Sequence, residues 1–494
     1  MFSPDAFRIV FLFMSLLGVC PLVAYRVETH FKLLHVYAIF VFIVDFVGEK
    51  RVLRNKGRAA LLLFIIAYFG TMLNNRHLFG FSYISYFCYY VECLLFVYSY
   101  GKSSGKWNQL TERIFAVVIS GMNLINIWMF FSKYYIYIYG RGYVGMYPEE
   151  NRLAGLCGNP NVLAMICLGA IVICCIRIIC EQKRVWKVLF GVLCFLNFIT
   201  MLLTNSRTQI YSLASMISVA VFVWMLKNTR SIKRFWEAIG VGIMCAVIIV
   251  FGGKFLQLGM SMLDVNYTYY LENIYKGTMS TTIEQDNSIA ESVDEQKTSS
   301  DFNNANKEFE NATEQESVLT KGETIGRENR EKFNGRVGLW KTAWKLFLSH
   351  PILGTGMDDH EQAIQNLGIE KMPVSYFHNS YLEALVDFGI VGFACLLIYL
   401  FAMLKDVIRY FRFGGGNNWS LNAVLLGAVV AFFLCGLAES SLVASVYPTA
   451  IFFWMTVSRY AYFLEQENTR TGHFKPGILC RLTDSLTAKI HQKG

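Results

Sequence analysis

The sequence predicts an all-α integral membrane protein of about twelve transmembrane helices, with one large extracytoplasmic loop that carries short helices. Three observations lead there. Of 494 residues, 54% are hydrophobic and only 16% charged. A soluble chain would need an unusually large core to hide that surface, whereas a bilayer solvates it directly. Apolar runs close to the ~20 residues that cross a hydrocarbon core recur along the chain. Lys and Arg cluster between alternate runs, as in the cytoplasmic loops of membrane proteins.

The runs fall at 7–24, 33–48, 58–74, 81–100, 113–131, 160–180, 186–204, 208–226, 238–256, 384–404, 421–438 and 443–464. The first shows no clear small-residue cleavage site after Arg8 and reads as a retained helix. With the N-terminus inside, the inner gaps hold Lys50, Arg51, Arg54, Lys56 and Arg58, then Lys102 and Lys106. Lys183, Arg184 and Lys187 follow, then Lys227, Arg230, Lys233 and Arg234, then Lys405, Arg409 and Arg412. The outer gaps are poor in positive charge, so both ends are expected in the cytoplasm. This scattering, rather than a basic patch, explains the net charge of +9 and argues against nucleic-acid binding. Cysteines sit almost wholly in apolar stretches, where they act as small hydrophobes, and the long polar loop has none.

Four regions are therefore expected. Residues 1–256 form an N-terminal bundle of about nine spans, 257–383 an extracytoplasmic loop, 384–464 the C-terminal spans and 465–494 a basic cytoplasmic tail. Within the loop, 276–332 is too rich in Ser, Thr, Asn, Gln and Glu to bury enough surface to fold alone. Residues 337–349 differ: Val337, Trp340, Ala343, Trp344, Phe347 and Leu348 recur at helical spacing, with Lys341 and Lys345 on the other side. A helix lying in the outer membrane interface fits that pattern, and Pro351 and Gly354 end it.

Four outer segments then stand out. Arg152 precedes Gly158-Asn159-Pro160-Asn161, where Asn159 suits an N-cap and Pro160 a first helical position. Thr204-Asn205-Ser206-Arg207 forms a tight turn, and Asn334-Gly335-Arg336 precedes the surface helix. In His378-Asn379-Ser380-Tyr381-Leu382-Glu383, Ser380 and Glu383 have capping-box spacing. Each has a plain reading as a cap, a turn or a snorkelling side chain. An arginine at the hydrocarbon edge is nonetheless costly, which favours an anionic partner for Arg207. Asp358, Asp359 and His360 offer a weaker metal reading, since hard cations need more oxygens than these supply. The run Tyr134, Tyr135, Tyr137, Tyr139, Tyr143 and Tyr147 suits sugar stacking or an interfacial belt. Glu439, at the outer end of a span, is placed either to orient His378 or an arginine or simply to be solvated, and Glu92, inside a span, requires a polar partner.

From about Arg152 to Glu439 the chain resembles the bacterial O-antigen ligase and O-antigen polymerase superfamily. The resemblance rests on Gly-Asn-Pro-Asn-Val-Leu-Ala at 158–164, Ser206-Arg207, and Gly335-Arg336 followed by Trp340. It continues in His350-Pro-Ile-Leu-Gly-Thr-Gly356, His378-Asn379-Ser380-Tyr381-Leu382 and Gly389-Ile-Val-Gly392. It implies a glycosyltransferase of C-type architecture in the bacterial inner membrane, acting at the extracytoplasmic face. The donor would be a glycan on undecaprenyl diphosphate and the acceptor a second glycan or a lipid core, with no metal and no other cofactor. A chain-length regulator or a flippase would be further partners besides membrane lipids. The family's essential Arg and His map to Arg336 and His378. Arg207 and Arg152 would hold the diphosphate, and Asn379 and Glu439 would support them. Arg327 and Arg330 compete with Arg336, because the polar insertion leaves the register there open.

The chemistry suits these residue types. Arg presents a planar fork matched to phosphate oxygens and never deprotonates. His is the side chain best tuned to take a hydroxyl proton near neutral pH, and a helix N-terminus favours its neutral form. A polymerase joining lipid-linked repeats is the leading expectation, with the ligase as the alternative. A flippase or transporter, from another class, should show internal repeats and midplane polar residues, neither of which is clear here.

Overall fold

The computed structural model describes residues 3–48, 57–75, 81–103, 105–138, 142–147, 152–227, 231–262, 336–356, 360–368, 376–412, 418–440 and 448–470. It is a helical protein. Helices α1 (Pro4–Gly18), α2 (Ala24–Val47), α3 (Arg58–Asn74), α4 (Phe81–Glu92) and α5 (Gly105–Phe131) are followed by a small sheet, β1 (Tyr135–Ile138), β2 (Gly142–Tyr147) and β3 (Arg152–Gly155). Helices α6 (Pro160–Cys180), α7 (Arg184–Leu203), α8 (Arg207–Met225) and α9 (Ile232–Met262) come next. After them lie α10 (Arg336–Ser349), α11 (Glu361–Asn366), α12 (Ser380–Arg412), α13 (Trp419–Gly436) and α14 (Pro448–Arg470).

A helix stands in each of the twelve expected spans, but among the described residues only eight are long and apolar enough to cross a membrane by length and composition. The others are α1 and α3, of 15 and 17 residues, α4, and α14, whose C-terminal half carries Glu465, Glu467 and Arg470. Helix α4 has 12 residues before it loosens into a π turn, Cys93–Val97. Arg58 donates to the carbonyls of Leu94 and Leu95 there, and Arg8 to that of Phe96, so side chains meet the backbone groups the turn releases. Glu92 acquires its partner at the same place. His35 Nδ1 lies 2.7 Å from Glu92 Oε1, and His35 Nε2 lies 2.9 Å from Ser85 Oγ.

The chain divides into two compact units, Met1–Gly253 with Trp340–Gly494, and Lys254–Leu339. The polar insertion 276–332 lies outside the described residues. In the larger unit α6 is central, with 83% of its apolar window buried. Asn123 on α5 donates to Asn197 of α7 (2.8 Å), and Asn126 Oδ1 accepts from Leu156 N (2.9 Å), which anchors the chain just after β3. Helix α9 is bare by contrast: Ile243, Ile248 and Phe251 are each more than 60% exposed. Such a surface needs lipid around it.

The three-stranded antiparallel sheet, in the order β1-β2-β3, departs from the all-α expectation. Its signal was present as strict alternation in Tyr135-Ile136-Tyr137-Ile138, followed by Gly140-Arg141-Gly142, a turn composition. Val144, Met146 and Leu153 point into the protein, and a bulge in the β2–β3 register brings Tyr147 opposite Arg152.

Candidate functional site

Three helix N-termini meet around the C-terminal end of α13. At the first, Asn159 Oδ1 accepts from the N–H groups of Asn161 (2.8 Å) and Val162 (3.4 Å), and Pro160 occupies the first helical position of α6. Asn161 Oδ1 in turn accepts from Arg152 Nη2 (2.8 Å) and Ser206 Oγ (2.9 Å). Arg152 Nε also donates to the Thr204 carbonyl (2.9 Å). The second N-terminus, that of α8, is thereby tied to the first. Ser206 Oγ lies against Gln209 Oε1, and Gln209 Nε2 reaches Cys435 Sγ on α13 (3.7 Å). Arg207 itself is exposed, with no bond to any of the described residues. A cation held at a helix N-terminus opposes the local dipole, so this placement does not stabilise the fold.

The third N-terminus, that of α12, corrects the expected capping box. Asn379 is the cap: its Oδ1 accepts from Tyr381 N (3.0 Å) and Leu382 N (3.1 Å), and its Nδ2 donates to the Leu437 carbonyl (3.2 Å). Ser380 turns its hydroxyl to the Glu439 carbonyl instead (2.6 Å). Glu383 reaches past the cap to accept from Phe377 N (3.0 Å). Asn satisfies two donors with one oxygen and leaves its amide for α13, which Ser cannot do.

His378 stands just before this cap with φ of 51°, a left-handed conformation uncommon outside glycine. Its neighbour Phe377 is clamped by the Glu383 bond, by Trp340 Nε1 donating to its carbonyl (3.1 Å), and by the His360 ring at 5.1 Å. The fixed backbone holds His378 at 22% side-chain exposure. Its Nδ1 lies 3.7 Å from Glu439 Oε2, within ion-pair range but too long for a hydrogen bond. Glu439 is therefore placed beside His378.

Helix α12 is broken at Gly389, with φ of 60°. The loop 350–356 fills the break. Thr355 N donates to the Val386 carbonyl and Gly356 N to that of Asp387 (both 2.9 Å). On the other side of the break, Ile390 N donates to the Pro351 carbonyl (2.9 Å) and Val391 N to that of Ile352 (3.2 Å). Irregular backbone at membrane depth is tolerated when its polar groups are met in this way. Glycine is required at 389, because a Cβ there would lie 2.3 Å from the Ile352 carbonyl oxygen. The two glycine-bearing motifs at 350–356 and 389–392, separate in the sequence, thus form one structure.

The remaining candidates separate. Arg336 is the first residue of α10 and belongs to the smaller unit. Arg327, Arg330, Tyr139, Asp358 and Asp359 lie outside the described residues. His360 is bonded to Asp387 (2.8 Å), a carboxylate that sequence reading passed over as part of a span. No group of three or more metal-ligating side chains occurs among the described residues.

The order of motifs along this end of the bundle now has its counterpart among known proteins. Residues 192–397 match the O-antigen ligase family. Over that segment the chain is shown to be similar to the O-antigen ligase and polymerase superfamily, as its motifs suggested. The segment includes Arg207, Arg336 and His378, whereas Arg152, the Asn159 cap and Glu439 lie outside it. No curated protein matches the chain. The family points to a membrane enzyme that transfers glycans, with a lipid-linked donor and an acceptor.

Proposed function

We propose that this protein is a membrane polymerase that joins oligosaccharide repeats carried on undecaprenyl diphosphate, at the extracytoplasmic face of a bacterial inner membrane. The observation that carries the reading is Arg207: an exposed guanidinium without a partner among the described residues, at the start of a helix whose Gln209 meets Cys435 of α13, while His378 lies beside Glu439, three residues past that helix. A buried or paired arginine would contribute to the fold, whereas this one is available to a diphosphate.

In this reading Arg207 holds the diphosphate of the donor, and Arg336 is a second residue essential for transfer. Arg152 adds charge and keeps the Asn161–Ser206 turn in place. The acceptor hydroxyl attacks the anomeric carbon, and a new glycosidic C–O bond forms. The bond from that carbon to the phosphate oxygen breaks, and its electron pair leaves on the diphosphate, where the arginines stabilise the growing charge. The hydroxyl proton passes to His378, whose imidazolium the Glu439 carboxylate then stabilises. Asn379 fixes the helix start that presents His378. All of these groups are side chains, so the reaction is expected to run with chelator present.

The family description favours a ligase as the second reading. A deletion strain separates the two. Surface glycans one repeat long indicate loss of a polymerase, and long chains retained on the carrier lipid indicate loss of a ligase. Purified protein supplied with lipid-linked repeats and excess chelator should lengthen them. Repeats that are not lengthened either with or without chelator would refute the polymerase reading.

A further inference from the structure

We propose that the tyrosine-bearing face of the β1–β2 ribbon is a glycan-binding track, on which sugar rings next to the donor diphosphate are packed. The inference rests on the reading of the Arg207 end as the diphosphate site. In β1 and β2, Tyr135, Tyr137, Tyr143 and Tyr147 share one side of the ribbon. Tyr137 pairs directly with Tyr143, and Tyr135 with Gly145, so the ring of Tyr135 leans across to Tyr143. Ring centroids step from Tyr137 to Tyr143 (5.1 Å) and from Tyr143 to Tyr147 (5.0 Å). Successive rings are tilted by 56° and 60°, which makes a corrugated trough rather than a flat stack.

The opposite side of β2 differs in kind. Val144 and Met146 are buried, as is Leu153 on β3, so β2 is fastened through its apolar side and turns the half-buried Tyr143 and Tyr147 to the other. Tyr135 is 39% and Tyr137 57% exposed. A sugar ring has an apolar C–H face and a rim of hydroxyls. A phenol matches both, with a ring face for the first and a donor–acceptor oxygen for the second. Clustered tyrosines lose little side-chain entropy on binding, and they carry no charge that a neutral glycan would have to desolvate.

The direction of the track selects the occupant. Tyr147 pairs with Arg152, so the arginine lies on the same side of the sheet as the tyrosines. Arg152 is bonded to Asn161 and Thr204, and Thr204 is three residues from the unpartnered Arg207. A neutral aromatic trough therefore runs toward a cationic end. That sequence of chemistry matches a glycan joined to a diphosphate. An interfacial belt would instead spread its aromatic residues around the bundle at one depth.

The test uses the full-length protein in nanodiscs and, as probe, phosphate-free fragments of one to four repeats cut from the surface polysaccharide of the producing bacterium. Binding is read by saturation-transfer NMR. The double variant Tyr137→Ala/Tyr143→Ala should weaken fragment binding at least tenfold, and Tyr137→Phe/Tyr143→Phe should retain most of it. Arg207→Ala should leave fragment binding intact while reducing transfer from the lipid-linked donor. Equal binding by wild type and the Ala variant, or none by wild type, would overturn the track. If the track binds but Arg207→Ala transfers glycan normally, the diphosphate reading is what fails.

Discussion

The two ends of helix α6 treat charge in opposite ways. At its C-terminal end Arg177 is almost fully buried and donates to Glu112 (2.9 Å) and Glu181 (2.7 Å), while Arg113 forks onto Glu181 from α5. Glu112 also accepts from Tyr100 (2.6 Å), whose ring faces Arg8, and Arg8 is paired with Asp5. Each of these charges has a counter-charge. About 30 Å away along the 21 residues of α6, Arg207 is exposed without a partner among the described residues, and His378 has left-handed backbone and an unbonded Nδ1. The first arrangement can only be disturbed by change, whereas the second can still accept a ligand. Paired buried charge indicates structure, and unpaired charge held on a rigid frame indicates function.

Stability and turnover, measured separately, test that contrast. The largest effect is expected at His378. His378→Ala should reduce glycan transfer by roughly 10²–10⁴-fold with donor affinity and thermal unfolding little changed. Near-normal turnover by the folded variant would remove His378 from the chemistry. Next comes the opposite end. Arg177→Ala leaves the buried Glu112 without the guanidinium that hydrogen-bonds it and Glu181 with Arg113 alone, and should cost about 3–5 kcal/mol of stability. Unfolding of the detergent-solubilised protein would show it, and an unchanged transition would mean that water replaces the guanidinium. The smallest effect is expected for Arg207→Lys, which keeps the charge and loses the fork. Transfer should fall by about tenfold with no shift in unfolding. A large loss of stability there would place Arg207 in the same class as Arg177.

Much of this was legible before the structure. Asn159-Pro160 marks the start of α6 because a capping amide and a ring without an N–H suit only that position. The spans could be read because length and apolarity are properties of the chain itself. What could not be read were the partners of single polar residues. Glu92 announced a need that His35, 57 residues earlier, supplies. Ser380 and Glu383 had capping-box spacing, yet Asn379 took the cap because α13 offered its amide a carbonyl. The tyrosines alternate as a strand does, but four residues of alternation between apolar spans are too short to specify a hairpin without the pairing that β3 supplies.

The order of amino acids is enough to specify a helical membrane protein, the places of most of its helices and the family that its middle segment resembles. Those properties follow from composition, local periodicity and short motifs. Tertiary structure alone decided which charges are neutralised and which remain exposed. It also joined the loop at 350–356 to the break at Gly389 and set Glu439 beside His378 across 61 residues of chain. Hydrogen bonds and ion pairs act over about 3–4 Å of space, and no local pattern in a chain specifies which distant residue will occupy that space.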